Sequence, residues 1–419
     1  MGNVIQAVKD DVIETLLLVK TCFSSFWFWL PVVYGGYMIF QIWLLIVVHH
    51  LTILIVPGAI SAYLIVDEKV ALIDTVKAPF FEEMVERIQE IIPPDKIDYL
   101  ITNHLELDHS GSLPKIKELA KNATMIASER CKGGLARYFK KEWPLHTVKT
   151  GDTLDLGKRK VTFVEVPMVH WPDSMVTYSP SDKILFSNDA FGQHLATSKR
   201  FDDEVGWEII YPEAATYYAN IVMHLSGPIL KALDQAKELA VDMIAPSHGV
   251  IWRTNIEKIV KAYYSWVKFE AKEKALIIYD TMWGSTEKMA KAMGEGIAEE
   301  GVEVRVMNIT QTGRTEIMRE VLDAKAVLIG SPTINNGMFP TVADFLCYCK
   351  GLRPQKKIGV AFGSYGWAGG ATKAIIEELK ATGIEVVEPE VKYPYLPERE
   401  ELEQCKALGK RIAAQIKKQ

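Results

Sequence analysis

Four metal-competent side chains crowd into six residues directly behind an apolar run: His104, Glu106, Asp108 and His109 follow Tyr99-Leu100-Ile101-Thr102 and give way to Ser110-Gly111. A short apolar run bounded by turn residues reads as a buried strand. A loop leaving such a strand is where a rigid scaffold sets functional side chains. Two imidazoles interleaved with two carboxylates fit a metal site better than a solvated acidic loop does. On an extended loop alternate residues share a face. That predicts His104, Glu106 and Asp108 converging, with His109 turned to the other side.

The surrounding pattern is α/β. SAYLIVDEKVALIDT reads as two β-branched strands joined at Asp67-Glu68-Lys69. FEEMVERIQEII has helical apolar spacing and is stopped by Pro93-Pro94. Strand, helix and strand with short links predict a parallel pair. Three further ligand-type residues leave later apolar runs into Gly/Pro/Ser/Asn turns: His170 after KVTFVEVPMV, Asp189 after DKILFSN and His248 after VDMIAPS. Each alone reads more readily as structural. With the first loop they make seven, which suits two metals sharing one carboxylate.

On these residues the chain resembles the metallo-β-lactamase superfamily, and more closely its flavodiiron branch. Hydrolytic members show H-x-H-x-D-H, whereas this chain has Glu106 at the second histidine. A carboxylate is harder and more anionic than imidazole and favours iron over zinc. The resemblance implies two Fe ions: His104, Glu106 and His170 on one, Asp108, His109 and His248 on the other, with Asp189 bridging. It also implies an αβ/βα sandwich for this domain. Asp173 reads either as a turn cap or as a group orienting a ligand imidazole. His194 and Trp252 are candidate pocket walls, and His146 and His224 read as ordinary histidines.

A second α/β unit opens at about residue 272. KALIIYDT, VEVRVMNI, AKAVLIGSPT, KKIGVAFGSYG and EVVEPEVKY read as strands alternating with helices, predicting a doubly wound parallel sheet. YYSWVKFEAKEK reads as a helix ending in a charged linker. The loop Thr281-Met282-Trp283-Gly284-Ser285-Thr286 places hydroxyls and a glycine before a helix, a neutral phosphate cradle. It matches neither the nucleoside-triphosphate loop nor the dinucleotide fingerprint. Pro332, Thr333, Ile334 and Asn335 lie in a second strand-end loop, with polar groups for an isoalloxazine edge. Ser364, Tyr365, Gly366, Trp367, Gly369 and Gly370 lie in a third, with aromatics for stacking and glycines for close backbone approach. Three such loops in this order resemble flavodoxin and imply FMN as cofactor.

The remaining residues divide the chain as 1–57, 58–268 and 272–419. From Thr21 to Val66 there is no Lys, Arg, Asp or Glu. That run is long enough for one membrane helix, roughly Phe26 to Val48. Two other readings stand beside it: a coding-frame error replacing a normal opening, and a buried hairpin. Net charge is −5 with both signs interspersed, which gives no reason to expect nucleic acid. The five cysteines, Cys22, Cys131, Cys347, Cys349 and Cys405, form no C-x-x-C pair. They read as reduced thiols of a cytoplasmic protein, without a rubredoxin or zinc-ribbon module.

The resemblance implies an oxidoreductase reducing dioxygen to water, or nitric oxide to nitrous oxide. Electrons would come from an external donor, either reduced deazaflavin coenzyme or rubredoxin. It further implies a head-to-tail homodimer or a dimer of dimers, bringing the flavin of one chain beside the irons of its partner. Two rivals remain: a zinc hydrolase on the same fold, and a membrane-anchored electron-transfer module.

Overall fold

Period-two burial sorts the first domain into layers. In the strand β3 (Ile60–Val66) the residues Ile60, Ala62 and Leu64 pack against helices, while Tyr63 and Ile65 point into a core between two sheets. This is a computed structural model, and it describes the backbone of 46–48 and 51–56 and the residues 60–418. The first sheet runs β1 (Ile46–Val48), β2 (Leu51–Val56), β3, β4 (Val70–Ile73), β5 (Tyr99–Thr102), β6 (Thr124–Ser128) and β7 (Leu145–Val148) in spatial order. Pairing is antiparallel up to β4 and parallel beyond it.

The second sheet comprises β8 (Thr153–Asp155), β9 (Lys160–Glu165), β10 (Met175–Ser179), β11 (Ile184–Asn188) and β12 (Met243–Pro246), again in spatial order. It is antiparallel except for β11 with β12. Phe163, Met175, Phe186 and Ala245 meet Tyr63 and Ile73 across the space between the sheets. Helices cover both outer faces, giving the expected sandwich. The sheets join where Ser61 N donates to Ser247 O and Tyr63 Oη to Pro246 O.

Two boundaries differ from expectation. The sheet crosses the division drawn after residue 57, because Leu51–Val56 pairs antiparallel with Ile60–Val66. Where the apolar run enters the described residues it is strand, as its β-branched LTILIV favours. The end of the membrane-helix reading at Val48 therefore gives way to a short hairpin, and the rest of it lies outside the described residues. Among the described residues no helix is long and apolar enough to cross a membrane. The charged linker is also strand: the helix Ile256–Val267 ends, and β13 (Lys272–Tyr279) has already begun at Lys272.

The second domain adds β14 (Glu303–Asn308), β15 (Ala324–Gly330), β16 (Ile358–Tyr365) and a last strand in two pieces, β17 (Glu385–Val386) and β18 (Val391–Pro394). The order β14-β13-β15-β16-β17, all parallel, reverses direction between β13 and β15. Open sheets of this order bind ligands outside the carboxyl ends of the strands at that point.

Candidate functional site

The strand β5 ends at Thr102, and the chain then changes from extended to helical at Leu107, where Leu107–Ser110 forms one turn. That turn corrects the alternating-face expectation. A helix rotates each residue by about 100°, so Asp108 and His109 swing together to one side, away from His104 and Glu106. The side chains separate into two groups, His104 with Glu106 and His170, and Asp108 with His109 and His248, each with donor atoms within 4.8 Å of one another.

Asp189, leaving β11, stands between the groups. Its Oδ2 lies 3.3 Å from His170 Nε2 and 3.7 Å from His104 Nε2. Its Oδ1 lies 3.0 Å from His248 Nε2 and 3.2 Å from His109 Nε2. Glu106 Oε2 sits 3.3 Å from His170 Nε2, and Asp108 Oδ2 sits 3.5 Å from His248 Nε2. An ion about 2 Å from each donor separates neighbouring donors by about 3 Å, close to these spacings. All seven expected residues are thus brought into one cluster.

The electrostatics ask for cations. Three carboxylates face four imidazoles, and among the described residues every ion pair of Glu106, Asp108 and Asp189 is with a histidine. Burial pushes the His104 imidazole down, yet Asp173, Glu106 and Asp189 carry it up to about 10. Burial likewise opposes, and neighbouring carboxylates overcome, in His170 and His248, each lifted to about 9. The His104 and His170 rings hold the Glu106 carboxyl down at about 2. Asp108 Oδ1 and Asp189 Oδ2 are buried without a hydrogen bond. A donor set that draws in protons this strongly fits metal cations, which compete for the same lone pairs, and its three carboxylates suit iron.

Neighbouring groups fix the ligands. Asp173 Oδ2 lies 3.0 Å from His104 Nδ1 and accepts from Leu105 N at 2.8 Å, so it orients the imidazole rather than capping a turn. Three contributors escape a reading of the sequence. Tyr217 Oη donates to Asp189 Oδ1 at 3.0 Å, from a helix with no motif to mark it. Trp171 stands edge-on to His104 at 5.1 Å. Asp74, buried beyond the end of β4, accepts from Asn103 N and Asn188 Nδ2, and burial raises its carboxyl to about 6. Asp74 does carry the signal that marks Asp189, a ligand-type residue leaving an apolar strand. His194 stands edge-on to His248 with ring centroids 5.4 Å apart, whereas Trp252 is fully buried and donates to Phe191 O. His146 and His224 are exposed.

In the second domain the three loops follow β13, β15 and β16, consecutive strands at the reversal point. Gly284 (φ 84°) turns the chain into the helix Ser285–Glu299, and its N–H donates to Thr281 Oγ1. The first N–H groups of that helix have no partner within it, and no Lys or Arg stands in Thr281–Thr286. Thr286 Oγ1 meets Ser364 Oγ at 3.2 Å, Thr333 N donates to Ser364 O, and Thr333 Oγ1 accepts from Ala371 N. A Cβ on Gly370 would lie 2.0 Å from Asn336 O, so this glycine serves loop-to-loop contact rather than approach to a ligand. Trp283 and Trp367 are 86% and 91% exposed, with Met282 half-exposed beside them. Bare aromatic surface next to a neutral anion cradle fits a flavin monophosphate.

A cluster of seven side chains able to hold two metals on a lactamase-type sandwich, joined to a flavodoxin-type sheet, defines a class of two-domain redox proteins. Residues 59–249 match the ODP family beta lactamase, and residues 277–409 match flavodoxin. A nitric oxide reductase of Moorella thermoacetica is 49% identical, over 85% of this chain and 90% of its own. An oxidase of the reduced deazaflavin coenzyme from Methanothermobacter marburgensis is 42% identical, over 85% of this chain and 91% of its own. The solved rubredoxin oxygen:oxidoreductase of Desulfovibrio gigas superposes with a TM-score of 0.85 at 40% identity, covering 88% of this chain and 98% of that one. The chain belongs to the flavodiiron proteins, oxidoreductases that carry a diiron site and FMN. These likenesses support the oxidoreductase over the hydrolase.

Proposed function

We infer that this chain reduces dioxygen to water, taking electrons from an external donor, with nitric oxide as the alternative acceptor. The carrying observation is Asp189, whose two oxygens face two separate ligand groups, one of them containing Glu106. The reading assigns His104, Glu106 and His170 to one iron, Asp108, His109 and His248 to the other, and Asp189 to both. It assigns Thr281–Thr286 to the FMN phosphate, and the loops at 332–335 and 364–370 to the flavin ring.

When bound, FMN supplies exchange between paired and single electrons, and the iron pair supplies redox-active positions open to a small molecule. The rest is the work of side chains. Asp173 holds the His104 Nδ1 proton and so aims Nε2 into the cluster. Tyr217 keeps its proton, since burial and Asp189 push its hydroxyl well up, and donates it to Asp189 Oδ1. Glu106 is the ligand with the most exposed side chain, at 37%, and marks the side of the centre that meets solvent. Reducing dioxygen to two waters consumes four electrons and four protons. Joining two nitric oxides into nitrous oxide and water consumes two of each.

The similarity to an oxidase of a reduced deazaflavin and to a rubredoxin-dependent oxidase supports one of these two as donor. The resemblance supports a head-to-tail homodimer or a dimer of dimers, and the scattered free thiols support a cytoplasmic setting. The 49% identity to a nitric oxide reductase favours the second acceptor enough to test both. The test is anaerobic purification, iron and flavin counts, then donor-dependent consumption of each gas. Two irons and one FMN per chain with turnover are expected; bound zinc, no flavin and no gas consumption would overturn the reading.

A further inference from the structure

Behind the metal centre the chain leaves space that close packing does not fill. Residues of the second sheet that point away from the inter-sheet core, Val164, Val176 and Leu185, face the helices Ser226–Ala236 and Ile256–Val267 across a cavity of about 570 Å³. Ile229, Leu233 and Val260 close it from the helix side. A space of this size with mostly aliphatic walls is the kind of pocket in which a small ligand binds. One end of its lining is His170 and Asp189. The other reaches Lys237 and Glu257, both exposed at the surface.

The chemistry of the lining selects that ligand. A water held in a cavity needs two to four polar partners, and along the stretch between the Asp189 end and the Lys237 and Glu257 end the hydroxyls already have partners. Ser187 Oγ donates to Ala190 O at 2.7 Å, Tyr263 Oη accepts from Phe191 N at 2.9 Å, and Tyr264 Oη donates to Asp234. Along that aliphatic stretch an ion or a sugar finds too few polar groups to replace its hydration shell. A small uncharged apolar molecule enters with no such loss, and apolar cavities even of about 150 Å³ stay dry and take up xenon. Glu106, with the most exposed side chain of the ligand set, stands instead on the solvent-facing side of the centre.

We propose that this cavity is the entry path and reservoir for the apolar diatomic substrate, separate from the solvent-facing side by which ions reach the centre. This rests on the gas-reducing function inferred above and adds the route by which the gas arrives. Dioxygen or nitric oxide concentrates in the aliphatic space and meets the cluster beside His170 and Asp189. Charged ligands come in past Glu106.

Three measurements on the FMN- and iron-loaded protein test this. Xenon-pressurised crystals are expected to show xenon between Val176 and Leu233; a cavity holding ordered water or a copurified lipid chain instead would overturn the proposal. With wild-type protein, xenon is expected to slow oxidation of the reduced centre by dioxygen while azide binding to the oxidised centre keeps its rate. Equal slowing of both, or of neither, would also overturn it. In Ala232→Phe, a cavity-lining helix position, the second-order rate with dioxygen is expected to drop about tenfold, a barrier rise of about 1.4 kcal/mol. Iron and FMN content and azide rate should hold, and an unchanged dioxygen rate counts against the route. If Ala232→Phe does not fold, the wild-type xenon experiments decide alone. If wild type consumes neither gas, the inferred function fails, while xenon binding still reports on the cavity.

Discussion

At the scale of single residues the proposed metal centre depends on groups outside its ligand set. Asp173 lies 3.0 Å from His104 Nδ1 and so decides which nitrogen of that ring is free. Asp173→Asn keeps the shape and removes the charge. Iron affinity or turnover should fall by about 10- to 100-fold, as for other carboxylates behind ligand imidazoles. Iron counts separate this from misfolding, since FMN content should not change. Glu106→His restores the hydrolytic pattern and should shift bound metal from iron toward zinc with loss of gas turnover. Unchanged iron content and rate would count heavily against the assigned site. A different residue governs pH. Lys357 is fully buried and donates to Leu322 O and Ala324 O, and burial lowers its ammonium from 10.5 to about 7. Between those two values the unfolded chain holds a proton that the folded chain sheds, so raising pH through that window favours folding. Lys357→Met lacks this proton, so wild type should gain melting temperature relative to the variant as pH rises from neutral toward the upper value. Melting curves of both proteins at the two ends of that window check this, and a constant difference would refute the buried-lysine account.

At the scale of elements, glycines tell structure from ornament. Gly370→Ala would drive a Cβ to 2.0 Å from Asn336 O and push the second and third strand-end loops, the proposed flavin loops, apart, at a cost of about 1–3 kcal/mol. FMN titration should show weaker binding. Gly351, inside the helix Pro340–Leu352, has nothing within 4 Å of its added Cβ. Gly351→Ala should raise stability by up to about 1 kcal/mol and leave FMN binding alone. If both variants behaved alike, the loop-contact argument would fail. The same elements show what a sequence can disclose. β3, β4, β11, β13 and β15 are legible because alternation or a β-branched run ends in a turn signal. So are the ligand-type residues that leave such strands. The turn Leu107–Ser110 is not legible: four residues are too few to show a period, and they carry the geometry that splits the ligands into two groups. Tyr217 is hidden for the opposite reason. It lies among many apolar and aromatic residues of the helix Trp207–Tyr217, and only the fold aims its hydroxyl at Asp189. The last strand of the second domain splits at residues 387–390, where Pro389 interrupts a pattern that otherwise reads as one run.

At the scale of the whole molecule the two domains behave as one packed body. A single buried apolar cluster holds Ala214, Tyr218 and Val222 of the first domain together with Ile317, Met318 and Phe345 of the second. Around it, Asn220 Nδ2 donates to Thr315 O and Tyr348 Oη to Asn220 Oδ1. The connection from Val267 to Lys272 is too short to act as a tether. Loss of FMN and loss of the iron-site spectrum on heating should therefore coincide in one transition. Asn220→Ala, which removes both polar contacts, should lower that transition by about 1–2 kcal/mol without splitting it. Two separate transitions in wild type would contradict a shared core. The same rigidity bears on electron transfer. If packing fixes how each flavin loop stands to the metal centre of its own chain, hinge motion cannot bring the two together on demand. The proposed head-to-tail homodimer would let a partner chain complete the path. Turnover per chain should fall on dilution in step with the dimer fraction measured by sedimentation, and an active strict monomer would refute the dimer.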